Sequence, residues 1–220
     1  MRAMILAAGR GERLKPLTDT MPKPLVEVGE QSLIERHING LANAGFREIV
    51  INLSYLGEKI EEAVGNGSRF GVDVAYSWEP EGALETGGGI VHALDLLGNS
   101  PFAVINGDIY CDYPYQKLRA IKCDYAHLVL TANPEHNPSG DFSLEGGRIR
   151  NTGALMGTFS GIAVYNPGLF EGHETGRYSV VPILRNAIDN HLVTGEWHRG
   201  QWCDVGTVER LEKLASTVSS

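Results

Sequence analysis

The sequence predicts an α/β protein with a doubly wound, mostly parallel (mixed) sheet and helices on both faces. Three features carry that expectation. Short apolar runs alternate with amphipathic stretches, the runs are nearly unbroken in apolar character, and the amphipathic stretches carry capping residues or glycine at their ends.

The apolar runs at residues 3–8, Glu48–Leu53, 72–77 and Phe102–Asn106 read as strands buried on both faces. Between the first two, residues 33–44 form a helix. Ser32 and Glu35 have the spacing of a capping box, and Gly45 stands where a C-terminal cap belongs. A second helix is expected over Gly57–Val64, closed by the turn-rich residues 65–71, and a third over residues 88–97. The order β-α-β-α-β-α-β implies parallel strands joined by crossovers. The second half reads differently, with strands over residues 126–132 and 158–166. A hairpin is expected across 141–151, turning at Glu145-Gly146-Gly147-Arg148. Helices follow over residues 180–190, with Ser179 as cap, and Val208–Val218, with Thr207 as cap. Pro182 falls in a first turn, where its missing N–H does little harm.

The 220 residues, 42% hydrophobic and 21% charged, have ordinary globular composition, and a single domain over 1–220 is expected. The formal net charge is −8 with no basic run, which argues against a nucleic-acid partner. Cys111, Cys123 and Cys203 lack a Cys-x-x-Cys spacing and fit free thiols in a reducing compartment. The apolar start is too short for a signal peptide, and no stretch approaches the ~20 apolar residues of a membrane span. The expectation is a cytoplasmic protein with no membrane association and no evident protein partner.

The strongest chemical signal runs from Leu6 through Thr18 (LAAGRGERLKPLT), with Pro22-Lys23-Pro24 just beyond. A strand ends at Ala8, and Gly9 and Gly11 then let backbone N–H groups approach an anion without Cβ interference. Arg13 adds a planar fork and Lys23 a point charge, both suited to phosphate oxygens. Leu14 occupies the place of the third glycine of a dinucleotide-binding loop, and no Gly-Lys-Ser/Thr follows as in a Walker loop. A glycine-rich loop that only makes turns is the bland alternative, and the clustered cations and prolines weigh against it.

This motif resembles the signature of the sugar-1-phosphate nucleotidyltransferase family, whose members join a nucleoside triphosphate to a sugar-1-phosphate and release pyrophosphate. The resemblance continues through Leu84-Glu85-Thr86-Gly87-Gly88-Gly89, Asn106-Gly107-Asp108 and Trp202-Cys203-Asp204-Val205-Gly206-Thr207. It implies a Rossmann-like nucleotidyltransferase domain whose residues 1–110 bind nucleotide and whose residues 111–220 bind sugar. By the same resemblance Arg13, Lys23 and Asp108 are catalytic. Leu6, Ala8, Gly9, Gly11, Glu12, Arg13, Lys23, Glu79, Thr86, Gly87 and Asn106 bind the nucleotide. Gly140, Asp141 and Ser160 bind the other substrate, and Asp108 and Asp204 hold Mg²⁺. Carboxylates are the hard oxygen ligands that Mg²⁺ prefers, although Asp108 could begin a turn and Asp204 cap a helix.

The segment 79–89 looks like the family's base-reading element, with glycines whose free N–H groups could face the nucleotide. Alternatively, Thr86 caps a helix there and the glycines allow close packing. Larger family members carry a Glu-Lys-Pro element whose lysine contacts the sugar phosphate. Here residues 146–159 contain no lysine, and Arg148 or Arg150 is the candidate substitute. The short chain, LETGGG and the missing lysine imply UTP and N-acetylmuramate 1-phosphate as substrates, in cell-wall recycling. A uridylyl-, thymidylyl- or guanylyltransferase for glucose- or mannose-1-phosphate is the enzyme alternative, and a non-catalytic nucleotide sensor the alternative of another class. The seven histidines lack metal-ligand spacing. Cys203 reads as packing, and Tyr110, Tyr113 and Tyr115 either wall a sugar pocket or pack inside.

Overall fold

A computed structural model describes residues 1–80 and 82–218. Its elements, in chain order, are β1 (Ala3–Leu6), β2 (Glu27–Val28), β3 (Gln31–Ser32), α1 (Leu33–Asn43), β4 (Glu48–Leu53), α2 (Gly57–Val64) and β5 (Asp73–Trp78). They continue with α3 (Glu85–His92), α4 (Leu94–Leu97), β6 (Phe102–Asn106), β7 (Ile109–Cys111), β8 (Ala126–Thr131), β9 (Phe142–Glu145) and β10 (Arg148–Arg150). The last are β11 (Met156–Tyr165), α5 (Val181–Asp189), β12 (Val193–Trp197), β13 (Trp202–Asp204) and α6 (Val208–Val218).

Nine strands form one mixed sheet in the order β5-β4-β1-β6-β11-β8-β12-β10-β9. The first four run parallel, as the crossover helices require. Beyond β6 the sheet turns largely antiparallel, with β8 and β12 as a further parallel pair. β9 pairs with β10 and also with the start of β11, which curls this half of the sheet.

Alternation along the strands explains the unbroken apolar runs. Ala3 and Ile5 of β1 face a core with Ile34, Ile38 and Leu41 of α1 and Ile60 and Val64 of α2. Met4 faces the opposite core, with Ile90, Leu97 and the α5 residues Ile183, Leu184 and Ile188. Both faces are covered, so no polar alternation survives. A third cluster, Val28, Leu33, Tyr110, Val205 and Leu214, seats α6 beside the β7–β13 ladder.

α1 illustrates how the sequence sets an element's ends. The Ser32 hydroxyl accepts from the Glu35 N–H while the Glu35 carboxylate accepts from the Ser32 N–H, a complete capping box. At the other end Gly45 takes φ +86°, and Phe46 N–H and Gly45 N–H reach the carbonyls of Leu41 and Ala42. That pair of bonds is a Schellman closure, which a left-handed glycine permits.

One helix starts earlier than its pattern predicts. α3 begins at Glu85 rather than at residue 88, and Ala93 separates it from α4. The Tyr178 carbonyl accepts from both Gly87 N–H and Gly88 N–H, satisfying first-turn donors that otherwise lack partners. Thr86 is not the cap. Its hydroxyl oxygen accepts from Val180 N–H at 3.0 Å instead.

Candidate active site

A cleft of about 480 Å³ opens where the parallel strands end. Leu6 ends β1, Asn52 lies one residue from the end of β4, Glu79 follows β5 and Asn106 ends β6, and all four line it. This is the edge at which open α/β sheets expose loops and backbone donors to ligands.

The loop after β1 forms one wall through Ala7, Ala8, Gly9, Gly11, Glu12 and Arg13. Gly11 has φ +67°, a conformation that L side chains rarely adopt, and a Cβ there would press on Thr18 and on Lys23 at 3.2 Å. At Gly9 a Cβ would meet nothing within 4 Å, which leaves the backbone free for a ligand. The Thr18 hydroxyl donates to the Gly11 carbonyl at 2.8 Å and closes the loop. Arg13 is exposed at the cleft, and no carboxylate among the described residues pairs with it. Lys23 is 7% exposed, and its ammonium makes a short ion pair with Asp108. Pro22 and Pro24 flank it in a 3₁₀ turn, so a buried cation is held at the cleft floor. Lys15, in contrast, is exposed and 4.0 Å from Asp19.

Asp108 sits in the turn between β6 and β7, and Asp204 ends β13. The two strands pair with Asp204 opposite Ile109, and Val205 N–H donates to the Asp108 carbonyl at 2.9 Å. The ladder therefore brings two carboxylate residues distant in sequence to neighbouring positions. Arg210 binds one oxygen of Asp204. The other, Oδ1, is buried and lies 3.1 Å from His136 Nε2 without hydrogen-bond geometry, so it accepts no hydrogen bond. A buried carboxylate oxygen without a donor, on a residue that the ladder seats beside Asp108, has the chemistry a divalent cation takes. Asp204 itself does not line the cleft, whereas Gly206, two residues on, does.

A second cavity of about 180 Å³ adjoins the first and shares Leu6, Thr86 and Asn106 with it. Ile90, Val104, Phe159, Gly161, Tyr165, Ser179, Val180 and Val181 complete its walls.

Of the residues expected to bind nucleotide, all but Gly87 line the large cleft. Gly87 and Gly88 do not offer free N–H groups, because Tyr178 holds both. Their missing Cβ atoms serve close packing instead: a Cβ at Gly87 would strike the Tyr178 ring at 2.7 Å. Glu81, inside the expected base-reading segment, lies outside the described residues.

The expectations for the second half need more correction. Gly140, Asp141 and Ser160 line neither cavity. Ser160 is fully buried, its hydroxyl donating to the Val129 carbonyl at 2.7 Å. Asp141 accepts from Phe159 N–H at 2.8 Å and from Asn137, and Gly140 makes the turn before it at φ +65°. Arg148 and Arg150 both bind His191, the latter at 2.6 Å, on β10 near the sheet edge. Tyr113 and Tyr115 lie in the core and Tyr110 in the small cluster, so none walls the cleft.

Sequence reasoning missed Asn52 and Arg177, while Glu85 lines the cleft from within the expected base-reading segment. Arg177 reaches the cleft from the segment before α5 and pairs with Glu85 at 3.4 Å. Asn52 left a legible trace, a lone amide near the end of the apolar run Glu48–Leu53. Cys111, Asp112 and His198 cluster away from the cleft, with potential ligand atoms all within 4.8 Å of one another. Asp112 and His198 already bind each other at 2.8 Å, and burial pushes the Cys111 thiol up to about 12, so the group reads as a hydrogen-bonded cluster.

The parallel half-sheet, its glycine loop and the Lys23–Asp108 pair gather backbone donors and cations at the strand ends, an arrangement suited to phosphate groups. The chain belongs to the nucleotidyl transferase family, whose model matches residues 2–142. It is 49% identical to N-acetylmuramate alpha-1-phosphate uridylyltransferase of Neisseria meningitidis serogroup B, over 97% of this chain and 96% of that protein. It is 42% identical to mannose-1-phosphate guanyltransferase of Neurospora crassa over 94% of this chain, but spans only 61% of that longer protein. A crystal structure of a putative glucose-1-phosphate thymidylyltransferase from Bacillus anthracis, in complex with a sucrose, superposes with a TM-score of 0.86. It is 21% identical, covers 99% of this chain and 95% of its own, and speaks to the fold.

Proposed function

We propose that the chain transfers a nucleotidyl group from a nucleoside triphosphate to a sugar-1-phosphate and releases pyrophosphate. The observation that carries this reading is the cleft itself, where the glycine loop, Arg13 and the pair of buried Lys23 with Asp108 converge at the ends of the parallel strands. For the substrate pair we propose UTP and N-acetylmuramate 1-phosphate, supported by the extent of the similarity to the Neisseria enzyme. The large cavity would take the nucleotide and the adjoining apolar one the sugar, giving residues 1–110 and 111–220 their separate tasks. We place the reaction in the cytoplasm, consistent with three free cysteines. No helix among the described residues is long and apolar enough to cross a membrane.

A sugar phosphate, with its second ionisation near pH ~6, is already mostly dianionic at neutral pH, so the attacking oxygen needs no general base. That oxygen forms a bond to the α-phosphorus while the α–β bridging bond breaks, and the electron pair leaves on pyrophosphate. The protein's task is to hold two anions together and to meet the charge of the leaving group. Gly11 and Arg13 would hold the outer phosphates and Lys23 the phosphate nearest Asp108. Asp108 and Asp204 would hold Mg²⁺, which supplies positive charge to phosphate oxygens when bound. A panel of nucleoside triphosphates and sugar-1-phosphates, scored by pyrophosphate release, tests the reading. UTP with N-acetylmuramate 1-phosphate should give the highest kcat/KM. Equal turnover of N-acetylglucosamine 1-phosphate would remove the sugar assignment, and no pyrophosphate from any pair would remove the activity.

A further inference from the structure

Three buried hydrogen bonds join the two walls of the nucleotide cleft. The β1 ladder ends at Leu6, paired with Asn52 on one side and Asn106 on the other. Ala7 is the first residue past the ladder, and its N–H would lose its partner there. The Asn52 side-chain carbonyl accepts it at 2.8 Å. The Asn52 amide then donates to Glu79 Oε1 at 2.6 Å, and Glu79 Oε2 accepts from Leu84 N–H at 2.6 Å. Leu84 is the residue immediately before α3. Asn52 is 3% exposed and Glu79 7%, so these bonds act with little water to replace them. Gly89 makes room: a Cβ there would meet Asn52 Nδ2 at 2.9 Å and press on the Glu79 carboxylate.

We propose that Asn52 and Glu79 form a clamp that sets the phosphate loop against the start of α3 and thereby fixes affinity for the nucleoside triphosphate. This rests on the nucleotidyl-transfer reading above. Both are positioning residues. Asn52 directs the chain as it leaves the sheet for Gly9 and Gly11, and Glu79 anchors the segment that leads into α3. An amide suits residue 52, since one partner is a donor and the other an acceptor. A glutamate with both oxygens engaged inward is a support for the nucleotide site, in place of the direct base contact expected from the sequence.

Asn52→Asp is nearly isosteric and turns the clamp into a test. It keeps the acceptor for Ala7 but sets a carboxylate against Glu79, and the two repel unless one of them takes up a proton. Lowering the pH supplies the proton and restores a donor between them. The measurement is nucleotide affinity by titration calorimetry at about pH 6 and about pH 8, each value taken as a ratio to wild type, since the nucleotide's own terminal phosphate titrates near pH ~6. UTP, ATP, GTP and dTTP are used in turn. N52D should bind at least ~10-fold more weakly than wild type at the higher pH and recover most of the loss at the lower. N52A should lose at least ~10-fold at both, while KM for the sugar phosphate stays within about 2-fold of wild type. A pH-independent ratio for N52D overturns the proposal, as does an equal loss of affinity for both substrates, which would mark a merely structural role. Wild-type binding matched by both variants sinks the clamp alone. Failure of wild type to bind any of the four nucleotides sinks the clamp and the proposed activity together.

Discussion

The half of the sheet built from β1, β4, β5 and β6 and the half built from β8 to β12 solve different problems. In the first, each strand end delivers a residue to the cleft: Leu6, Asn52, Glu79 and Asn106. Parallel strands all end on one edge, so their following loops gather there without further instruction. In the second half the strands run both ways and curl, and their ends scatter. That half gives the large cleft only Arg177 and Gly206, and lends the smaller cavity the apolar walls Phe159, Tyr165, Val180 and Val181. The parallel half thus gathers its cleft residues by topology, whereas the other half shapes its cavity by side-chain packing.

The largest expected effect tests whether the short β7–β13 ladder joins these halves chemically. Asp108→Asn and Asp204→Asn should each lower kcat by at least ~100-fold, the scale of losing one charge stabiliser in a transition state, with the proteins still folded. Removing divalent cations with a chelator should abolish turnover, and added Mg²⁺ should restore it. Near-full activity of D204N at saturating Mg²⁺, with D108N inactive, would confine the chemistry to the parallel half.

Lys23→Ala comes next, lowering kcat/KM by about 10- to 100-fold because a buried cation is lost and Asp108 is left without its partner. Lys15→Ala should change it by less than about 3-fold, since its pairing with Asp19 is long and exposed. Equal losses in a steady-state assay would mean that the prolines around Lys23 do not set its role.

What the sequence revealed follows the same division. β4, β6 and α2 lie over the residues their patterns predict, because strands buried on both faces and a helix with one apolar stripe leave signals that neighbours do not disguise. β12 was not foreseen. β12 reads Val-Thr-Gly-Glu-Trp, and its Gly195 is required because a Cβ would meet the Leu128 carbonyl at 2.8 Å, so packing overrides propensity. The phosphate loop was legible because its residues are contiguous. The Asn52–Glu79 pair was not, since one member lies in β4 and the other just past β5. Ser160, Asp141 and Arg150 carry polar groups suited to a ligand, yet internal partners take them, which sequence alone does not disclose.

His37 on α1 and Tyr115 from the second half share a hydrogen bond of 2.8 Å across the boundary. Burial lowers the His37 pKa from 6.5 to about 4, so the folded protein keeps the ring neutral where the unfolded chain protonates it. Its contribution is intact above pH 6.5 and is lost as pH falls toward about 4, by up to about 3 kcal/mol. Denaturant unfolding across that interval should show stability dropping in wild type and a shallower drop in His37→Gln. Parallel curves would mean that another group governs the acid response.

The smallest expected effect lies at the far edge of the second half. Arg148→Ala and Arg150→Ala should leave KM for the sugar phosphate within about 2-fold, the range expected of a residue that never touches substrate. Both guanidinium groups reach His191, at the start of the turn into β12, and β10 lies next to last in the sheet order. Their charge is thus used to pin the hairpin of β9 and β10 to the end of α5, and stability should fall by no more than about 1 kcal/mol for such exposed contacts. Arg177→Ala is the control from the same half, because Arg177 lines the cleft and is held there by an exposed ion pair with Glu85. If either Arg148→Ala or Arg150→Ala raised KM tenfold while Arg177→Ala did nothing, the hairpin would have to close over the cleft during turnover. The division between a catalytic parallel edge and a structural antiparallel one would then fail.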